Sequence, residues 1–252
     1  MAAAARVSRR ARAVRAGIVI AILAAWEALS ASGLLFRDVV PSLGAIGAAL
    51  GRLLAAPDFY ADLGVTIVEI AVAMLIGGSA GLAVGIALGA NRFLSRAFES
   101  LLLYLGPTPK IIFFPVMIMW FGVGSGSKIA MGAISCFFPV AISVAAGMRT
   151  IEPVLIRVGR SFRASTWQMI TRIYLPAMRE PIVNGVRLGL GVAIIGTLLA
   201  ETKLSNRGLG YLVIQAYSLF DMPKMYALLL VLFTLAIGAN ALIDRASRVQ
   251  SR

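Results

Sequence analysis

The sequence contains no histidine and only one cysteine, Cys136. Without histidine, the chain lacks the commonest general base and metal ligand. A single cysteine forms no disulfide bond within a chain, and neither a cysteine cluster nor a carboxylate pair offers substitute chemistry. We therefore expect that the chain is not an enzyme, and that it binds neither a metal ion nor a cofactor itself.

Charged residues are also scarce. They make up 14% of the chain, whereas hydrophobic residues make up 60%; soluble domains average about 25% and about 45–50%. A membrane crossing takes about 20 residues, so a chain of this length accommodates around six crossings and no sizeable soluble domain. The composition predicts an all-α, polytopic membrane protein.

Six apolar runs are the candidate crossings: residues 17–36, 64–90, 98–121, 129–148, 183–202 and 225–243. They divide the chain into a basic N-terminus (1–16), a transmembrane domain (17–243) and a short C-terminus (244–252). A signal peptide is the alternative interpretation of the first run, but the run is longer than the apolar core of a usual signal peptide.

The segment between the first two runs leans apolar but contains Arg52, Asp58 and Asp62. Because these charges resist burial in lipid, residues 38–62 are predicted to form an amphipathic helix along the outer interface. In the second run, glycines recur at spacings of three and four residues, which predicts a face for close helix packing.

The net charge of +13 is distributed unevenly between the predicted loops. With the N-terminus in the cytoplasm, the cytoplasmic segments hold sixteen Lys or Arg residues and the outer segments six. The positive-inside rule favours this orientation, with both termini cytoplasmic. Nucleic-acid binding is not indicated, because the basic residues do not cluster on a soluble, aromatic-rich surface.

The segment Gly122–Lys128 (GVGSGSK) resembles a phosphate-binding loop at first sight. That motif requires glycine where Ser127 stands and serine or threonine where Ile129 stands. We interpret the segment as a flexible outer loop, and the chain is expected to hydrolyse no nucleotide.

Residues 149–182 combine many basic residues with many large apolar ones, which is unusual for a loop. We call this segment the central hairpin, because two helices are predicted in it. Pro153 suits the first turn of a helix. Ser165 and Gln168 have capping-box spacing, so a second helix is predicted from Thr166 to Leu175, where Pro176 ends it. The hairpin is cationic through Arg157, Arg160, Arg163, Arg172 and Arg179 and carries the apolar side chains Val158, Phe162, Trp167, Ile170 and Ile173. Such a surface is suited to contact a partner.

Four ionisable residues lie in or near apolar runs: Glu27, Glu69, Lys110 and Glu201. Charges at membrane depth usually face the protein interior and mark either a structural ion pair or a substrate contact. Lys110 lies beside Pro109 in a run that Pro107 and Pro115 also interrupt, and broken helices are tolerated where they line a cavity. Candidate pathway residues are Pro107, Pro109, Lys110 and Glu201, with Lys110 favouring passage of an anion.

The stretch RVGRSFRASTWQMITRIYLPAMREPIVNGVRLGLG (157–191) resembles the EAA loop of binding-protein-dependent ABC importer permeases. The matching positions are Ala164, Ser165, Trp167, Leu175, Pro176, Pro181 and Gly185. Residues 107–128 and 198–213 are similar to the nitrate/sulfonate/taurine branch. The resemblance covers about residues 66–244 and implies a MetI-like permease fold in the bacterial cytoplasmic (inner) membrane.

The resemblance implies an importer that works by alternating access. Two permease subunits line the path for a small anionic or organic solute such as a sulfonate, nitrate or taurine. The two subunits are expected to be copies of one chain in a homodimer. A cytoplasmic ABC ATPase dimer supplies ATP and Mg²⁺ chemistry, an extracytoplasmic solute-binding protein delivers the solute, and membrane lipid surrounds the assembly. An ion-coupled secondary carrier and a non-transporting scaffold subunit are the alternatives.

The ATPase-coupling residues implied by the resemblance are Arg157, Val158, Gly159, Arg160, Ser161, Phe162, Arg163, Ala164, Leu175 and Pro176. This sequence departs from the family pattern twice. Arg157–Gly159 replaces the acidic E-A-A start, and Arg163 replaces a loop glycine. A hairpin anchored on anionic lipid headgroups is the alternative to ATPase docking.

Overall fold

The computed structural model describes residues 2–33 and 39–249, and within these ranges the chain forms helices and no strand. The all-α prediction is therefore confirmed. The α-helices, in chain order, are α1 (Ala2–Ser32), α2 (Leu43–Ala55), α3 (Pro57–Ala90), α4 (Arg92–Leu105), α5 (Phe114–Phe121), α6 (Ser125–Arg149), α7 (Pro153–Ser161), α8 (Thr166–Met169), α9 (Leu175–Ala177), α10 (Arg179–Lys203), α11 (Leu209–Ser218) and α12 (Met222–Val249).

In the described part of the chain, five helical segments are long and apolar enough to cross a membrane: Val14–Ser32 of α1, α3, α6, α10 and the Met222–Arg245 part of α12. Helices α4 and α5 form a sixth candidate that is bent by 92°. These segments coincide with the six predicted runs, although residues 34–36 of the first run lie outside the described residues.

The bend between α4 and α5 lies where the sequence places Pro107 and Pro109. Proline lacks a backbone N–H and excludes its preceding residue from helical geometry, so two prolines at this spacing stop an α-helix. The chain resumes as a 3-10 turn over Lys110–Phe113 before α5 begins. The sixth candidate crossing is thus a broken one.

The largest described unit comprises residues 61–211 and 232–249. Within it, α6 and α10 pack along each other, and α3 packs on α6 through the predicted glycine face. A Cβ added to Gly77 would lie 2.1 Å from the carbonyl oxygen of Ala133, and one added to Gly89 would lie 2.2 Å from Cβ of Met148. Glycine is therefore required here, because any side chain would push the two helices apart.

The second unit comprises residues 2–33, 39–60 and 212–231. The predicted amphipathic helix of residues 38–62 corresponds to α2, which is shorter because α3 already begins at Pro57. Ser42 caps α2 by accepting a hydrogen bond from the N–H of Ala45, and Glu27 accepts one from the N–H of Leu43 at 2.9 Å. The charge of Glu27 therefore lies at the positive end of a helix dipole.

Two elements differ from the sequence-based expectation. The segment 203–224, predicted to be an outer loop, contains α11. Pro176 was expected to end the helix at Leu175, but α8 continues through a π-helical turn (Ile170–Tyr174) into α9 and breaks only at Met178. A π turn shifts the hydrogen-bonding register by one residue, so the missing N–H of proline is tolerated.

Candidate functional sites

The central hairpin consists of α7, a short turn and the helical segment 166–177. The predicted capping box is present: the N–H of Gln168 donates to Oγ of Ser165 at 3.2 Å, and the N–H of Ser165 donates to Oε1 of Gln168 at 2.8 Å. Both bonds satisfy amides that a helix start would otherwise leave unpaired. The second arm of the hairpin therefore begins where the sequence predicts.

The inside of the hairpin is packed around Gly159. A Cβ at this position would lie 2.4 Å from Cδ1 of Ile173 and 2.6 Å from Sδ of Met169. The two arms therefore approach too closely for a larger residue without rearrangement. Met169 and Met178 are buried, so the inner face is apolar and closed.

The turn of the hairpin passes through Arg163, whose φ is +51°. Left-handed backbone costs a residue with a side chain roughly 1–2 kcal/mol, and glycine avoids this cost. The family pattern has glycine here, and the backbone of this chain retains the conformation that explains it. The departure at Arg163 thus changes the side chain but not the shape of the turn.

The outer face of the hairpin is both aromatic and basic. Phe162 is 83% exposed and Trp167 is 72% exposed. The guanidinium-bearing residues Arg157, Arg160 and Arg163 are exposed on the same stretch. Aromatic and arginine side chains are the residues that most often anchor protein interfaces. The predicted coupling residues Arg157–Ala164 therefore form one continuous segment, with buried Gly159 inside and Phe162 outside.

Leu175 and Pro176 lie apart from that segment, in α9 beyond the π turn. Leu175 is half-buried and Pro176 is exposed. They belong to the second arm of the hairpin, close to the start of α10. The structure thus divides the ten predicted coupling residues between a turn-proximal set and a pair near the membrane helix.

The base of the hairpin is tied to α4 and α10. Arg149 forms an ion pair with Glu99 and donates a hydrogen bond to Oγ of Ser95 at 2.9 Å. On the other side, a Cβ added to Gly147 would lie 2.4 Å from Cβ of Pro181. The hairpin is therefore joined to the membrane helices by an ion pair on one side and by close glycine–proline packing on the other.

Among the predicted pathway residues, Pro107, Pro109 and Lys110 lie together at the bend between α4 and α5. The Lys110 ammonium group donates to the carbonyl oxygen of Gly106 and lies 4.9 Å from the ring centroid of Phe138. A cation over an aromatic face is attracted by the ring quadrupole. Lys110 remains partly exposed, so its charge is held in place without being enclosed.

Glu201, the fourth predicted pathway residue, is 0% exposed. Its Oε1 accepts a hydrogen bond from Oγ1 of Thr66 at 2.7 Å, and its Oε2 accepts one from the N–H of Gly210 at 2.6 Å. The carboxyl group fills space that a Cβ on Gly208 or Gly210 would occupy. Within one chain, Glu201 therefore holds the loop between α10 and α11.

Four more buried residues, Asp62, Thr66, Glu69 and Lys128, join Glu201 in a group that we call the buried charge cluster. Asp62 accepts from the N–H of Gly208 at 2.9 Å. Lys128 donates to the carbonyl oxygens of Val123 and, at 2.6 Å, of Leu204. Lys128 thereby joins the loop before α6 to the loop after α10.

Lys128 is the residue that the sequence interpretation placed incorrectly. It was assigned to a flexible outer loop together with the rest of Gly122–Lys128, but Ser125–Lys128 forms the first turn of α6 and Lys128 is 1% exposed. Only Gly122–Gly124 forms a loop. The sequence feature that could have indicated the burial of Lys128 was the pair Glu69 and Glu201, two acids in apolar runs that required a cation.

The comparisons with known proteins agree with this architecture. Residues 77–252 match the family model described as the inner membrane component of binding-protein-dependent transport systems. A protein of Bacillus subtilis strain 168, named as an aliphatic sulfonates transport permease (SsuC), is 30% identical over 82% of this chain and 75% of its own length. The taurine transport permease TauC of Escherichia coli K12 is 30% identical over 74% of this chain and 69% of its own length.

Two further comparisons extend the range of relatives. The nitrate import permease NrtB of Synechococcus elongatus is 26% identical over 61% of this chain and 55% of its own length. Among solved structures, a chain of the MetNI methionine ABC transporter in an inward-facing conformation matches 83% of this chain and 98% of that chain, with a TM-score of 0.64 and 20% identity. At that identity the match establishes the fold. The chain therefore belongs to the family of inner-membrane permease components of binding-protein-dependent ABC importers.

Proposed function

We propose that this chain forms the solute path of an ATP-driven importer and that the central hairpin docks on the partner ATPase. The observation that carries the proposal is the exposed aromatic and basic face around Phe162 and Trp167. A permease whose sequence holds no nucleotide-binding motif needs a partner that hydrolyses ATP. The exposed face of the hairpin is suited to bind such a partner. ATP and Mg²⁺ act in the partner.

The way in which the hairpin joins the membrane helices supports a mechanical role. It directly connects the end of α6 to the start of α10, two helices that pack along each other in the larger unit. Met178 is fully buried at the junction, and Gly147 contacts Pro181 closely. A displacement of the hairpin by closing ATPases is therefore transmitted to both helices, which opens the path to the opposite side of the membrane.

The charge distribution supports a proposal for which side of the membrane the hairpin faces. Basic residues are concentrated in the hairpin and at the two termini, so these segments are proposed to be cytoplasmic under the positive-inside rule. An extracytoplasmic binding protein then delivers solute to the other end of the path, where the buried charge cluster fixes the loop after α10. We propose that Glu201 acts on transport through that loop.

Two copies of the chain are proposed to form the complete path, with Lys110 facing it. The bend at Pro107 and Pro109 leaves Lys110 partly exposed. A positive charge at this depth favours an anionic solute, and the names of the sulfonate, taurine and nitrate permeases support a small anion of this kind. The solute itself is selected largely by the binding protein.

The docking proposal is tested by replacing Arg160 and Phe162 together with alanine. Loss of an aromatic and arginine anchor typically costs at least about 2 kcal/mol, or roughly 30-fold in affinity. Co-purification of the ATPase should fall accordingly while the permease remains folded. Trp120→Ala is the matched control, because Trp120 is an aromatic residue that is 73% exposed but lies at the end of α5, away from the hairpin.

Three results would reject the proposal. The first is unchanged ATPase co-purification together with normal solute-stimulated ATP hydrolysis in the double variant. The second is uptake of solute by the purified chain in vesicles without any ATPase, which would identify a secondary carrier. A subunit that binds its partners but never stimulates ATP hydrolysis would be a scaffold.

A further inference from the structure

We propose that an anionic phospholipid occupies the groove between α3, α10 and α12, with an acyl chain in the groove and its phosphate on Arg187. The groove has a volume of about 350 Å³, and all its lining side chains are apolar: Ile67, Ile70, Ala71, Met74, Val186, Leu190, Ile194, Leu235, Ala239, Leu242 and Ile243. All three helices are candidate membrane spans. The groove therefore opens at membrane depth, where acyl chains are the surrounding solvent.

The apolar part of the groove cannot by itself select one lipid. A lipid tail is as apolar as the groove, so transfer from the bilayer brings no hydrophobic gain. Retention of a particular lipid must come from its headgroup. Basic pockets between membrane helices bind anionic headgroups. A positive charge at one end of the groove would therefore select an anionic lipid.

One end of the groove carries such a charge. Val186 and Ile243 line this end, and the next residue of each helix forms the ion pair Arg187–Asp244. Both side chains remain substantially exposed, at 43% and 44%, and Arg245 beside them is exposed as well. The three charges give this end of the groove a net charge of +1.

The guanidinium group is able to bind a phosphate while it keeps its acidic partner. Its contact with Asp244 is made through Nη2, and a guanidinium carries five N–H donors in a planar fork. That fork matches the geometry of phosphate oxygens. Asp244 competes with the phosphate, so the ion pair sets how strongly Arg187 attracts an anionic headgroup.

The test uses the full chain in nanodiscs of equal parts phosphatidylglycerol and phosphatidylcholine, with co-purified lipid quantified by mass spectrometry. Wild-type protein should retain phosphatidylglycerol in excess of its bulk share. Arg187→Gln should reduce this preference about fivefold, the effect of one cationic residue at the membrane surface. Asp244→Asn should increase it, an outcome that partial unfolding does not produce. Arg207→Gln, which removes an exposed arginine elsewhere, should leave it unchanged.

A second pair of variants tests the groove itself. Ala239→Trp fills the groove and should abolish the retained lipid, whereas Ala241→Trp on an exposed face of the same helix should not. Free phosphate bound at Arg187 would be insensitive to Ala239→Trp and would overturn the proposal. The proposal also fails if Arg187→Gln and Asp244→Asn both reduce lipid retention. A photo-crosslinker at Leu242 that captures a second copy instead of lipid would likewise refute it.

Discussion

Replacing Lys128 with methionine should destabilise the chain strongly, because it removes the cation from a closed acidic environment. Lys128 is buried and its ammonium group donates to the carbonyl oxygens of Val123 and Leu204. Glu69 and Glu201, also buried, are its acidic neighbours. Methionine preserves the length of the side chain but leaves the two carbonyl oxygens without their donor and the two acids without a nearby cation.

The expected magnitude follows from known costs of this kind. Leaving a buried acceptor without its donor typically costs about 1–3 kcal/mol, and more where the lost donor is charged, so the two carbonyls together should cost about 3–5 kcal/mol. For a domain of this size each kcal/mol shifts Tm by about 2–4 °C, so a fall on the order of 10 °C is expected. Lys203→Met, at an exposed lysine near the same end of α10, is the control and should shift stability by less than about 0.5 kcal/mol.

The measurement is thermal unfolding in detergent, followed by tryptophan fluorescence. A double-mutant cycle with Glu69→Gln isolates the interaction, because neutralising the acid should recover part of what Lys128→Met loses. A coupling of about 0.5–3 kcal/mol is expected for groups in one network. Additive losses, or a Tm for Lys128→Met within error of the control, would refute the assignment of Lys128 to a charge cluster.

Three further changes have expected outcomes. In the same thermal assay, Gly85→Ala should lower the free energy of unfolding by about 1–3 kcal/mol through overpacking, since its Cβ would lie 2.6 Å from Cβ of Val144. Gly78→Ala is the control and should be neutral or stabilising, because a Cβ at that position has no atom nearer than 3.9 Å. Arg163→Gly should keep the ATPase bound in co-purification, and Arg163→Val should release it, because the turn needs positive φ; equal binding by both would contradict this. Lys110→Met should slow uptake of the anionic solute by reconstituted transporter, and unchanged uptake would remove Lys110 from the path.

The hairpin shows how far local chemistry carries a prediction. Pro153 and the pair Ser165 and Gln168 mark helix starts through their own backbone and side-chain bonds, and both starts are confirmed. The prediction that Pro176 ends the helix was wrong, because the rule that proline stops a helix applies to regular α-helical hydrogen bonding. The π turn that accommodates it forms as the second arm packs its buried Met169 against the first arm at Gly159.

The buried charge cluster lies beyond the reach of such local rules. Glu69 and Glu201 were identifiable as acids that require partners, but the partner Lys128 is 59 and 73 residues away in the sequence. Its neighbours Ser127 and Gly126 suggested a flexible loop. Likewise α11 was missed, since at its start the N–H groups of Gly208 and Leu209 donate hydrogen bonds to Asp62 and Thr66 of a distant helix.

By itself, the sequence determined the class of protein, the membrane-spanning runs, their charge bias and the helix starts of the hairpin. These features depend on composition, on hydrophobic length and on bonds between residues close in the chain. The tertiary structure decided which charges are buried together, that Arg163 adopts a left-handed backbone conformation, and that an exposed ion pair lies at one end of an apolar groove. Such features depend on which distant helices come into contact, and in a low-dielectric interior a charge is stable only beside the partner that packing brings to it.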